Sequence, residues 1–250
     1  RIEKFDTSGS FVSKIDNTLN ASLRFPVGTI LDSSGNLLVA DDDSSVIKKF
    51  SPTGSFISKF GSPGTGNGKL LFPIAMANDS LGNIYVTTSL NKVVEFDSSG
   101  NFLLEFGSSG TGNGQFNYPS SISVNSTGFV YVADINNNRI EVFNSTGSFQ
   151  FQFGSFGTNL GEFEYPSSTG IDSSGKIYVV DIFGRVQVFD FEGNPLYQFQ
   201  GYSVPLSTVI YEPELALDRN GHIYLFDATD KIIKQFNLAG NFTGQFSSLG

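Results

Sequence analysis

Four carboxylates recur at comparable points of a repeating pattern, Asp41, Asp134, Asp181 and Asp227, with Thr88 in the fifth place. Asp134, Asp181 and Asp227 are followed by the bases Arg139, Arg185 and Lys231. A ring of carboxylates could hold a metal or a cationic substrate. The competing reading is an Asp that accepts hydrogen bonds from the amides of its own turn and pairs with the nearby base. Repetition favours the second, since a site breaks symmetry whereas scaffolding repeats. Asp41-Asp42-Asp43 does break symmetry, and closely spaced hard oxygens are what Ca²⁺ takes. No Asp-x-Asp-x-Asp-Gly loop surrounds them, so Asp41, Asp42 and Asp43 read first as a solvated acidic turn, with calcium as the weaker alternative.

Catalytic residue types are sparse. His222 is the single histidine and follows Gly221 at the start of a strand, where a surface role is expected. Cysteine is absent, which removes thiolate chemistry, disulfides and Cys-type zinc sites. No Gly-x-Ser-x-Gly elbow occurs, and Gly64-Thr65-Gly66 and Gly110-Thr111-Gly112 precede strands rather than helices, so they are loop glycines. No enzyme activity and no cofactor are expected. Asn-x-Ser/Thr sequons stand at Asn20, Asn78, Asn125, Asn144 and Asn241. Four of these, Asn78, Asn125, Asn144 and Asn241, fall in turns that a regular fold would place on one face.

The net charge is −9, from 15 Lys+Arg against 24 Asp+Glu, with no basic cluster. Counterion release from phosphates drives nucleic-acid binding, so nucleic acid is disfavoured as a partner, and so is an anionic membrane surface. No run of eighteen apolar residues could span a membrane as a helix. The 26 Phe and 9 Tyr can fill a sizeable core.

These residues are positioned by a stretch used five times. Residues 119–154 alternate with period two between turns of Gly, Asn and Asp, which predicts a four-stranded antiparallel meander. Pro26, Pro73, Pro119, Pro166 and Pro213 open the units and stand 46 or 47 residues apart. The third strand ends at Phe50, Phe96, Phe143, Phe189 or Phe236, and the fourth at Phe60, Phe106, Phe153, Phe199 or Phe246. A period in the forties with four strands per unit predicts a β-propeller, whose blades bury their faces against one another. Residues 1–20 match only the third and fourth strands of a unit. The expected fold is therefore all-β, a single propeller domain over 1–250. It has a half blade at 1–20 and repeats at 21–67, 68–114, 115–161, 162–208 and 209–250. Six blades are expected, the inner strands of the half blade coming from sequence outside this segment or from a partner. Five blades with an accessory hairpin is the alternative.

The pattern of Pro, Gly, Ile-Tyr-Val-Ala-Asp, Arg-Ile and Val-Phe resembles the NHL repeat, most closely over residues 119–163. The family includes RNA-binding domains, receptor sensor domains, carbon–nitrogen lyases and secreted bacterial and archaeal proteins, so the resemblance speaks for fold more than for function. The acidic, Ser/Thr/Asn/Gly-rich composition, the lack of catalytic residue types and the near-identical units point to a non-catalytic interaction or structural module. The resemblance to extracellular members of the family implies one that is secreted or at the cell surface. Such a module would bind protein or glycan, or self-assemble, through the face of its inter-blade loops. A lyase-type enzyme or a receptor sensor domain is the alternative. Of those loops, residues 201–213 replace glycines with apolar residues, which makes Tyr202, Val204, Leu206, Ile210 and Tyr211 candidate partner contacts. Apart from Glu214, the first strands that line the pore carry small or apolar residues.

Overall fold

A computed structural model describes residues 1–6, 9–15, 22–202, 213–227 and 230–247. The alternating segments form five four-stranded antiparallel sheets and one two-stranded sheet. The two-stranded sheet joins β1 (Ile2–Phe5) and β2 (Phe11–Ile15). Blade 1 contains β3 (Pro26–Leu31), β4 (Leu37–Asp41), β5 (Val46–Phe50) and β6 (Phe56–Phe60). Blade 2 runs through β7 (Pro73–Asn78), β8 (Ile84–Thr88), β9 (Lys92–Phe96) and β10 (Phe102–Phe106). Blade 3, β11 (Pro119–Val124), β12 (Val130–Asp134), β13 (Arg139–Phe143) and β14 (Phe149–Phe153), has a short 3₁₀ turn at Ile135–Asn137. Blade 4 comprises β15 (Pro166–Ile171), β16 (Ile177–Asp181), β17 (Arg185–Phe189) and β18 (Pro195–Gln200). Blade 5 consists of β19 (Glu214–Leu217), β20 (His222–Asp227), β21 (Ile232–Asn237) and β22 (Phe242–Ser247). Each blade is a meander in sequence order.

Proline opens the first strand of blades 1 to 4, where a missing N–H costs nothing because that strand is the inner edge of its sheet. The edges turn inward around a central cavity, and successive inner strands pack side by side: β3 on β7, β7 on β11, β11 on β15, β15 on β19. The apolar clusters lie between blades, as face-to-face stacking requires. Leu38, Ala40 and Ile47 of blade 1 meet Met76, Val86 and Phe96 of blade 2, for example, and Tyr178 and Val188 of blade 4 meet Ile223 and Phe236 of blade 5. At each junction a turn glycine of one blade lies under the last phenylalanine of the blade before. Gly100, at φ +87°, could not carry a Cβ, which would fall 2.5 Å from Phe60 Cγ.

The same contact locates the hairpin. Gly9 lies against Phe246 of blade 5, and Phe5 packs on that ring at 6.5 Å, while Ile2 and Ile15 pack on the Leu23, Val39 and Phe50 cluster of blade 1. The β1–β2 sheet thus sits between the last blade and the first. Only two strands are supplied there among the described residues, and β19 and β3 show no packing comparable to that of the other inner strands. The expectation of six blades is corrected accordingly: five blades surround the cavity, with a two-stranded hairpin beside them.

Candidate functional site

The inner strands and the residues just before them enclose a cavity of about 840 Å³. Its walls carry Ser120 and Ser121 from β11, Ser167, Ser168 and Thr169 from β15, and Glu214 from β19. Most of these hydroxyls are committed to joining neighbouring blades. Ser120 donates to the Pro166 carbonyl at 3.2 Å, and Ser167 to the Pro213 carbonyl at 2.9 Å. Ser121 accepts from the Thr169 amide at 3.0 Å, Thr169 donates to Ser123 at 3.0 Å, and Ser168 accepts from the Leu215 amide at 3.1 Å. Side chains here supply the lateral hydrogen bonds that the inner edges lack. Sequence reasoning saw these residues only as small, because the partners lie about one repeat away.

Glu214 differs. Among the described residues no ion pair or hydrogen bond is seen for its side chain, which is open to the cavity yet surrounded by protein, and desolvation raises its pKa above the ordinary 4.5.

Aromatic side chains surround the mouth. Phe25, Phe72, Tyr118 and Tyr165, each immediately before the proline that opens an inner strand, are 59%, 49%, 41% and 40% exposed. Phe25, Phe72 and Tyr118, together with Phe226 of β20, line the cavity. Phe72, Tyr118 and Tyr165 have φ of +46°, +68° and +60°. A bulky residue at positive φ is a genuine outlier and costs about 1–3 kcal/mol unless its surroundings impose it. The surroundings do impose it. The Phe72 amide donates to Ser45 Oγ at 3.2 Å, Tyr118 to Asn91 Oδ1 at 2.7 Å and Tyr165 to Asn138 Oδ1 at 2.9 Å. Ser45, Asn91 and Asn138 come from the turn between second and third strands of the preceding blade, themselves at φ +51°, +58° and +54°. The inter-blade loops on this face are also fixed. Leu70, Phe116 and Phe163 anchor three of them in the core. Arg139 donates to the carbonyls of Thr111, Gly112 and Gln115, and Arg185 to those of Gly157, Thr158 and Glu162.

The recurring aspartates serve as scaffold. Asp134 pairs with Arg139 at 3.0 Å and accepts from the Asn117 amide; Asp181 pairs with Arg185 at 2.9 Å. Asp227 pairs with Lys234 at 2.8 Å rather than with the expected Lys231, which sits in the turn at φ +56°. Asp41 is paired as well, with Lys48, and accepts from Ser44 and the amides of Arg24 and Phe25. Burial opposes its charge, yet these donors hold its pKa below the ordinary value. Asp43 faces Arg24 at 3.3 Å, while burial and its two acidic neighbours raise Asp42. Asp41 and Asp43 are thus each paired with a base, and among the described residues no group of three or more His, Cys, Asp or Glu could hold a metal ion.

A second Asp series escaped the sequence reading. Asp32, Asp79, Asp172 and Asp218 open the turn between first and second strands, each accepting from the amides two and four residues on. Asn125 stands at that position in blade 3, and Asn144 at the corresponding third-to-fourth turn held elsewhere by Asp97 and Asp190. These two sequons therefore coincide with turn-capping positions whose side-chain oxygens are in use. Asn78 donates to the Leu31 carbonyl, Asn241 is exposed, and Asn20 lies outside the described residues. His222 contacts Asp218 at 2.8 Å in a far-face turn, away from the cavity.

Tyr202 is not a surface contact. It is buried among Tyr178, Leu225 and Phe236, with Lys234 5.6 Å from its ring centre. Val204, Leu206, Ile210 and Tyr211 lie outside the described residues.

Residues 116–143, from the loop anchor Phe116 to the end of β13, match the family model of the NHL repeat. The chain is a β-propeller in which blade 3 carries an NHL-repeat match. Similar solved structures include a streptogramin B lyase at 18% identity, covering 99% of this chain and 76% of that one with a TM-score of 0.68. The virginiamycin B lyase of Staphylococcus aureus is 14% identical over 90% of this chain and 71% of that one, TM-score 0.66. A chain of a nidogen/laminin complex is 19% identical over 89% and 80%, TM-score 0.67. At such identities the likeness establishes the propeller fold. No curated protein matches this chain.

Proposed function

We propose that this propeller is a non-catalytic binding module that engages a protein partner through the face bearing its inter-blade loops and cavity mouth, outside the cell. The observation that carries the reading is the aromatic rim, exposed rings held at a costly backbone conformation by side chains of the preceding blade. Exposed aromatic residues on a rigid frame are what protein interfaces use as anchors, because little freedom is left to lose on binding. A propeller of this fold occurs in a nidogen/laminin complex, which supports protein binding as one use of the architecture. The far face, with Asn241 exposed and Asn144 half-buried, would carry glycans and stay free of partner contacts.

Photo-cross-linking tests the face. With p-benzoylphenylalanine at Phe72, a specific heterologous adduct should form on the source cells; with the same probe at Leu81, in a far-face turn, it should not. Equal yields, or an adduct only at Leu81, would overturn the assignment. Peptide mapping of the natural protein tests the location, and glycan-free peptides at every sequon would remove that support.

A further inference from the structure

We infer that the cavity mouth receives an organic ammonium group, such as a lysine side chain presented by the partner. The inference rests on the binding face proposed above and specifies its chemistry. Three observations lead to it. First, the wall hydroxyls are engaged across blade junctions, Ser120, Ser167 and Thr169 as donors and Ser121 and Ser168 as acceptors, so a sugar entering the cavity would meet hydroxyls already in use. Second, the carboxylates that line the cavity are Glu214, which lacks an ion-pair partner among the described residues, and Asp42 near the mouth, while no Lys, Arg or His lines it. Third, the mouth carries Phe25, Phe72, Tyr118 and Phe226. An aromatic face attracts a cation through its quadrupole, most strongly when the cation is desolvated, and an unpaired carboxylate that opens into a walled cavity favours an opposite charge beside it. Anions and neutral apolar groups satisfy neither requirement. A primary ammonium on a flexible stem satisfies both, its methylenes lying on the rings and its head at Glu214.

The test is a titration of the whole chain with n-butylammonium against n-butanol, followed by NMR at labelled Phe and Tyr. The ammonium should shift the Phe25, Phe72 and Tyr118 resonances saturably and the alcohol should not. Glu214→Gln, checked for an unchanged unfolding curve, should weaken binding about tenfold. Phe72→Ala should weaken it about threefold. Equal shifts with butanol, an unaffected Glu214→Gln, or saturable binding of neutral oligosaccharides in place of the ammonium would each overturn the inference. Cross-linking at Phe72 separates the two levels: an adduct that persists when n-butylammonium fails to bind leaves the face standing and removes only its ligand chemistry.

Discussion

At the scale of single residues, Glu95 reports most directly on the price of the interior. It is buried beside Tyr85, and both its Oε2 and the Tyr85 hydroxyl lack hydrogen-bond partners among the described residues. Desolvation raises the Glu95 pKa above 4.5, with the nearby Tyr85 opposing the shift. A carboxyl whose folded pKa is raised contributes stability that is complete below the unfolded value and is lost as pH climbs through the folded one. Glu95→Gln should therefore be more stable than the parent at pH 8, by about 1 kcal/mol, and indistinguishable near pH 4. Urea unfolding at the two pH values measures this, and a loss at pH 8 would show that the charge is compensated. Glu141 behaves similarly: burial pushes it up to about 7 although Arg139 and the Gly114 amide lie against it. Its contribution should fade between pH 4.5 and about 7 and beyond. Neither site was legible from the sequence, since alternation marks both as strand residues without telling which neighbours they meet.

At the scale of elements, the strands, turns and phenylalanine landmarks were readable because each depends on local periodicity repeated in register. The loop anchoring was not. Arg139 was seen as a partner of Asp134, but its three bonds to the 111–115 carbonyls join the third strand to the preceding inter-blade loop. Arg139→Ala would strand two buried carboxylates, Asp134 and Glu141, and release that loop, and should cost about 3–5 kcal/mol. Arg139→Lys should recover little, because an ammonium cannot fork to several carbonyls and a carboxylate at once. Thermal unfolding of both variants gives the answer, and full rescue by Lys would show that charge alone matters. The positive φ of Phe72, Tyr118 and Tyr165 was likewise hidden, since a residue before proline is ordinarily extended and the bond that overrides this comes from another blade.

For the whole molecule, the repeat period foretold a propeller, while the blade count depended on how an isolated two-stranded match would be completed. Blades 2 to 4 are covered by full blades on both sides, whereas blades 1 and 5 each face the β1–β2 hairpin on one side. Amide exchange should accordingly be slowest in β8, β12 and β16 and faster in β1, β2, β3 and β19; uniform protection would argue for a ring as tight at that junction as elsewhere. The central claim, that the strained rim exists for binding rather than folding, is tested most directly by Tyr118→Gly. Glycine adopts φ near +68° without penalty, and the ring it removes is 41% exposed. The account predicts stability raised by about 1 kcal/mol together with a sharp fall in cross-linking from a probe at Phe72. Lower stability with cross-linking unchanged would contradict it and make Tyr118 a structural residue.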